Sequence, residues 1–179
     1  MAIVLPLFLG FCIAFLAVIL PGLINMTAAK ISLEEGKSQA MSFAIGASVI
    51  VFFQTYLAVL FARFISSHVE IISLLQEIGI LIFTGLSVYF FWIAKKPKKP
   101  KAAIKIKGKS NRFFFGILIS MLNFLPIPLY VFASISIASS GYFQFERYEI
   151  LNFVIGVVLG SFAVFYIYLV AFKSIEKKT

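Results

Sequence analysis

An all-α integral membrane protein is the fold class this sequence predicts, on three observations. Of 179 residues, 61% are hydrophobic and only 13% are charged, against roughly 45–50% and about 25% in soluble domains. Five apolar stretches each approach the ~20 residues that a helix needs to cross a bilayer. The basic residues fall almost entirely into alternate connections between those stretches. With a mean hydropathy of +1.04, the chain lacks the polar surface that water would require. Lipid is therefore its expected solvent, and its backbone polar groups must pair internally.

The spacing predicts spans over residues 2–24, 40–62, 71–94, 113–138 and 150–172, making one transmembrane domain over 1–179. None shows the alternating pattern of a barrel strand. The first is read as a retained span rather than a cleaved leader. No Lys or Arg precedes it, its apolar run is too long, and no clear small-residue cleavage site follows.

The connection 95–112, KKPKKPKAAIKIKGKSNR, carries nine basic residues and no acid. Lys30 and Lys37 on one connection, and Lys173, Lys177 and Lys178 in the tail, bring that side to fourteen of the sixteen Lys and Arg. Only Arg63 and Arg147 fall on the other side. Basic connections stay cytoplasmic. The expectation is a multi-pass protein of a bacterial-type cytoplasmic membrane, with its N-terminus outside and residue 179 inside. The net charge of +9 would point to nucleic acid in a soluble protein. Concentrated beside membrane spans, it reads as a topology signal and a docking strip for anionic lipid at 95–112, and no nucleic-acid partner is expected.

The chain has one cysteine, Cys12, and one histidine, His68. They cannot build a disulfide, a CxxC pair, a thiolate zinc site or a His-based metal site. No nucleophile–base constellation or phosphate-binding glycine loop is visible. No enzyme activity, cofactor or metal is expected.

Two places interrupt the apolar runs. Pro21-Gly22, followed by Asn25 and Thr27, lies late in the first span. Proline removes a helical hydrogen bond and crowds the preceding turn, so it marks either a helix end or a break facing a cavity. In the fourth span Asn123 precedes Pro126 and Pro128. There Gly116, Ser120, Asn123, Tyr130 and Ser134 form a small, polar side expected to face the bundle.

The two places resemble each other. Phe8-Leu9-Gly10 precedes Leu20-Pro21, and Phe114-Phe115-Gly116 precedes Leu125-Pro126, with Gly-to-Pro separations of 11 and 10. The charge count runs these spans in opposite directions. Paired broken helices in inverted repeats point to a transporter site. The expected architecture is a 3+3 inverted-repeat bundle, five spans being visible and a sixth absent or truncated.

Several further residues stand out inside the spans. Gln54 is near the middle of its span and serves either as a substrate-binding amide or as interhelical glue. Thr55, Thr84, Ser87, Asn152, Ser161, Tyr166 and Tyr168 are the other polar in-span residues. Gly156-x-x-x-Gly160 is a close-packing motif. Glu77 is the one acid within a span, and reads as an interfacial anchor or as a proton-coupling carboxylate. Glu34 and Glu35 read as ordinary loop charges.

With Pro21-Gly22, the spaced pattern from Gly36 through Ala40 to Gly46, and Asn123 after a basic loop, the chain resembles the LysE/RhtB family of amino-acid exporters. It departs from that family's pattern at Leu23 after Gly22, at Phe124 after Asn123, and at Ala40. The resemblance implies a six-helix inner-membrane exporter driven by the proton motive force. The expected function is export of amino acids or similar small metabolites. The candidate substrate-binding residues are Pro21, Gly22, Asn25, Gln54, Asn123, Pro126, Pro128 and Tyr130. A homo-oligomer is compatible with this. A membrane assembly or scaffold factor and an ion exporter are the alternatives. The scarcity of His and Cys and the lack of intramembrane Asp speak against soft-metal and ordinary cation sites.

Overall fold

A computed structural model describes residues 4–68, scattered positions between 70 and 92, and 111–176. Every described helix of regular length is an α-helix, and no strand occurs among the described residues. In chain order they are α1 (Val4–Val18), α2 (Leu23–Glu35), α3 (Lys37–Ser66), α4 (Arg112–Met121), α5 (Pro126–Ser139) and α6 (Arg147–Glu176). Among the described residues, two helices, α3 and α6, are long and apolar enough to cross a membrane. The pairs α1–α2 and α4–α5 also qualify, each as one span broken by a bend of 75° and 65° respectively. These apolar helices mark a membrane-embedded helical protein.

The chain divides into two compact units, residues 1–63 with 110–179, and residues 64–109. In the second, His68 follows the end of α3, with Nδ1 2.9 Å from the Phe64 carbonyl and its ring 4.5 Å from that of Phe64. Glu77 is helical and exposed. Most of the expected span 71–94, and the basic connection as far as Ser110, lie outside the described residues.

The first unit is built on close helix contacts. Apolar side chains gain little by leaving lipid for protein, so helices associate through van der Waals packing, which small residues permit. A methyl group on Gly10 of α1 would run into the Phe153 carbonyl of α6. One on Gly156 or Gly160 would run into the carbonyls of Leu7 or Phe11. Four residues along α6 match four along α1, so these helices run parallel. The α3–α4 contact is made the same way: Gly46 abuts the Phe113 carbonyl and Gly116 abuts the Phe43 carbonyl. Farther on, Gln54 meets Ser120 and Asn123, so α3 and α4 also run parallel.

These contacts are reciprocal in sequence. Gly116 and Phe113 stand 106 positions after Gly10 and Leu7, and Gly156 and Phe153 stand 110 after Gly46 and Phe43. Both α3 and α6 are 30 residues long. Glycines with φ of +93° and +79°, Gly36 and Gly141, end the two bent pairs before them, a conformation in which a Cβ is unfavourable.

Local chemistry explains the helix ends. Asn111 caps α4 by accepting from the Phe113 N–H at 3.1 Å. Glu149 reaches back to accept from the N–H groups of Gln144 and Glu146 at 2.7 and 3.3 Å, fixing the chain that leads into α6 as a capping box does.

The expected boundaries change accordingly. The first span does not end at residue 24. It breaks at Ile19–Gly22 and resumes as α2 to Glu35. The second and fifth extend beyond 40–62 and 150–172 to Lys37–Ser66 and Arg147–Glu176, because their polar flanks continue the helical hydrogen bonding. The fourth is two helices rather than one kinked helix over 113–138. Pro126 and Pro128 start α5, where a missing N–H removes no helical bond.

Candidate functional site: two amide-bridged helix breaks

Two apolar clusters fill the first unit. One joins Ala14, Val51, Ala58, Tyr130, Phe153 and Val157 with their neighbours. The other joins Ile24, Ala28, Phe43, Ala47, Ile119 and Phe165. Along α3 the second cluster gives way to the first between Ala47 and Val51, and Gln54 and Thr55 follow one turn later, within the first. Along α6, Ser161 falls between Val157 of one cluster and Phe165 of the other. The helix breaks adjoin this junction. Ile24 and Ile119, next in sequence to Asn25 and Ser120, share one cluster.

At the first break the end of α1 leaves carbonyls without helical partners, because Pro21 offers no N–H and the chain turns away. Asn25 Nδ2 donates to Val18 O at 2.6 Å and to Leu20 O at 3.0 Å. The Tyr168 hydroxyl donates to Ile19 O at 2.9 Å. Three consecutive carbonyls are thus held by side chains from α2 and α6. Gly22 precedes α2 with no side-chain cap, and the first N–H groups of a helix have no intrahelical acceptor. Its φ of −126° and ψ of 177° are extended, so glycine is not needed there for conformation.

The second break is bridged from a different helix. Gln54 Nε2 on α3 donates to Ser120 O at 3.1 Å and to Asn123 O at 3.0 Å. The Asn123 N–H also bonds Ser120 O, at 3.1 Å. Asn123 therefore takes part through its backbone, and its side chain is only half-buried.

Each bridge uses the amide nitrogen and leaves the amide oxygen over. Asn25 Oδ1 and Gln54 Oε1 are buried without a hydrogen-bond partner among the described residues, as is Thr55 Oγ1. Ser161 lies against the Tyr130 phenol, both fully buried, though the Ser161 hydroxyl makes no well-aligned hydrogen bond. Leaving a buried polar atom unpaired costs roughly 1–3 kcal/mol. This junction is therefore polar, and several of its acceptors are met by no described group.

Among the expected site residues, the structure brings Asn25 to the first break, and Gln54 and Asn123 to the second. Gly116, Ser120, Tyr130 and Ser134 are buried, as their small, polar side anticipates. Pro21, Gly22 and Pro128 are exposed, and Pro126 is half-buried. Of the amides expected to bind substrate, Asn25 and Gln54 already give their N–H groups to backbone carbonyls. Glu77 belongs to the other unit and is exposed. No group of three His, Cys, Asp or Glu side chains converges among the described residues.

One feature of the site's surroundings escaped sequence reasoning. Glu35, expected to be a loop charge, forms a two-pronged pair with Arg112, which was counted with the basic connection. Arg112 Nε lies 2.6 Å from Glu35 Oε2, and its Nη2 bonds Oε1. Arg112 is 5% exposed, and its Nη1 has no partner among the described residues. The pair ties the end of α2 to the start of α4. Ser32 reinforces this end of α2 by donating to Leu169 O at 2.9 Å. The two charges are 77 residues apart, and no local pattern joins them. Tyr168 did carry a signal, as a polar residue inside an apolar span.

Comparison with protein-family models, with curated proteins and with solved structures gave no match.

Proposed function

We propose that this chain is a small secondary transporter of the LysE/RhtB kind that exports amino acids or similar small metabolites across the cytoplasmic membrane. One observation carries the reading: two helices broken beside a buried polar layer, each break bridged by an amide whose oxygen no described group pairs. Broken helices that expose backbone and termini between repeats are how transporter folds make sites for small zwitterions.

The roles follow from what remains unpaired. A substrate ammonium, which only donates, suits the free oxygens of Asn25 and Gln54. A carboxylate suits the uncapped N-terminus of α2 beyond Gly22, where the helix dipole is positive. At α5, Pro126 and Pro128 lack that donor capacity, so the two breaks are assigned opposite ends of the substrate. Asn25 and Gln54 hold the breaks open as well as lining them. Tyr130 and Ser161 close the layer.

The inverted 3+3 repeat is supported by the reciprocal glycine contacts. Topology supports it too. If each bent pair is one span, parallel α3 and α4 require the chain between them to cross the membrane an odd number of times. The expected span at 71–94 supplies that crossing, giving five spans and the inside-facing basic side inferred from the charges.

The test is efflux of labelled amino acids from preloaded cells, with and without a proton uncoupler. Asn25→Ala and Gln54→Leu proteins, inserted at wild-type levels, should lose most of the flux. Full-rate export by both would exclude this site.

A further inference from the structure

We infer that the outer face of α3 holds a specific site for one anionic phospholipid, separate from the breaks and from the basic connection at 95–112. An open cavity of about 560 Å³ lies at the start of α3, lined by Lys37, Ser38, Met41, Ser42, Ile45 and Phe113. Past the shared Ile45 a second, of about 370 Å³, continues along Val49, Phe52, Phe53 and Val158. The groove is polar at one end and apolar along the rest. Its spine is the helical row Lys37, Met41, Ile45, Val49 and Phe53, four residues apart, which stacks on one side of a helix.

Three features select the occupant. First, the cation is held in place: Lys37 Nζ donates to the Tyr166 hydroxyl at 3.1 Å and sits 4.8 Å over that ring. The neighbouring carboxylates are engaged elsewhere, Glu34 with Lys30 at 3.8 Å and Glu35 with Arg112. The ammonium and the hydroxyls of Ser38 and Ser42 thus line the cavity with no free carboxylate beside them among the described residues, at the positive end of a 30-residue helix. Second, nothing beyond Ser48 offers a charge, which suits an acyl chain. Third, the length fits. Lys37 to Phe53 spans about 24 Å at ~1.5 Å per residue, and one leaflet with its headgroups is roughly 20–22 Å deep. A phosphate-bearing headgroup at Lys37 places the tail on Phe52 and Phe53.

The probe is native mass spectrometry of the full chain released from micelles doped with equal phosphatidylglycerol and phosphatidylcholine. Wild type should retain one phosphatidylglycerol in preference to phosphatidylcholine. Lys37→Gln should lower that retention about fivefold, the effect of one basic residue near an anionic surface, whereas Lys37→Arg should keep it. Ile45→Trp, which fills the junction of the two cavities, should lower retention of both lipids. Ile155→Trp, on exposed α6 surface bordering neither cavity, should change nothing. Equal retention of the two lipids, or wild-type retention by both Lys37→Gln and Ile45→Trp, would overturn the site. So would a lipid-free dimer dissociated by Ile45→Trp, since a second copy would then occupy the groove.

Discussion

Gln54 and Thr55 are neighbours in sequence, both buried, and should respond to truncation with opposite signs. Gln54→Leu removes the bridge to the second break. Asn123 O then loses the bond it receives from Gln54, at about 1–3 kcal/mol for an acceptor left unpaired. Ser120 O still accepts from the Asn123 N–H, so its loss is closer to the ~0.5–1.5 kcal/mol net worth of a hydrogen bond. Against this, the substitution removes Gln54 Oε1, which is itself unpaired, returning about 1–2 kcal/mol. The net is a destabilisation of about 1–2 kcal/mol, or a fall in Tm of roughly 2–8 °C for a chain of this size. Thr55→Val is nearly isosteric and deletes an unpaired buried hydroxyl. It should raise Tm by roughly 2–4 °C, the equivalent of about 1 kcal/mol.

The assay is thermal unfolding in one detergent, followed by helical circular dichroism and by aggregation-resistant monomer on size exclusion. Asn123→Ala is the control, since Gln54 uses the backbone of Asn123, and it should move Tm by less than Gln54→Leu. Destabilisation by Thr55→Val would show that its hydroxyl is satisfied and would refute the opposite signs. A loss from Asn123→Ala as large as that from Gln54→Leu would equally refute a bridge made to the Asn123 backbone.

Three further outcomes are expected. Gly116→Ala and Gly156→Ala should each sharply reduce folded yield, because a Cβ there meets a facing backbone carbonyl, while Gly22→Ala should be tolerated, its nearest neighbour lying 3.9 Å away; monodisperse yield after purification reads both. Glu35→Gln should destabilise by about 1.5–3 kcal/mol, because Arg112 is buried while the Glu35 side chain is partly exposed, and a Glu35→Leu/Arg112→Leu double variant should recover much of that loss, measured as Tm. Tyr168→Phe should cost about 1 kcal/mol through the Ile19 carbonyl, seen as a drop of roughly 2–4 °C.

Periodicity and composition make the apolar helices legible because lipid permits few architectures. The polar side of the fourth span was equally legible: Gly116, Ser120, Tyr130 and Ser134 had to face protein, and they are buried. What the pattern could not convey is direction of hydrogen bonding. Asn25 and Gln54 stood out as intramembrane amides, but sequence does not reveal that a carbonyl from Val18 or Ser120 will reach the nitrogen first. The breaks were visible as prolines, yet their mechanics were not. Pro126 starts a helix where a kink was expected, a distinction set by the backbone at Leu122–Leu125. Glu35 and Arg112 were invisible as a pair, because each resembles an interfacial charge until the fold closes the 77 residues between them.

The two breaks are alike in their frame and unlike in their bridges, and the difference bears on motion. The frame repeats: each bent pair lies against the long helix of the other half through matched glycines. The bridges do not. Asn25 lies on α2 and bonds the end of α1, so the first bent pair carries a brace of its own, to which Tyr168 of α6 adds one bond at the Ile19 carbonyl. Gln54 lies on α3 and bonds the α4–α5 break, so that bend depends on where α3 sits. If one half rocks against the other, as the transport reading requires, displacement of α3 must alter the second bend before the first. On the proposed transport reading, the close contacts at Gly46 and Gly116 would be the pivot for that displacement, and Gln54, farther along the same helix pair, would be the arm that transmits it.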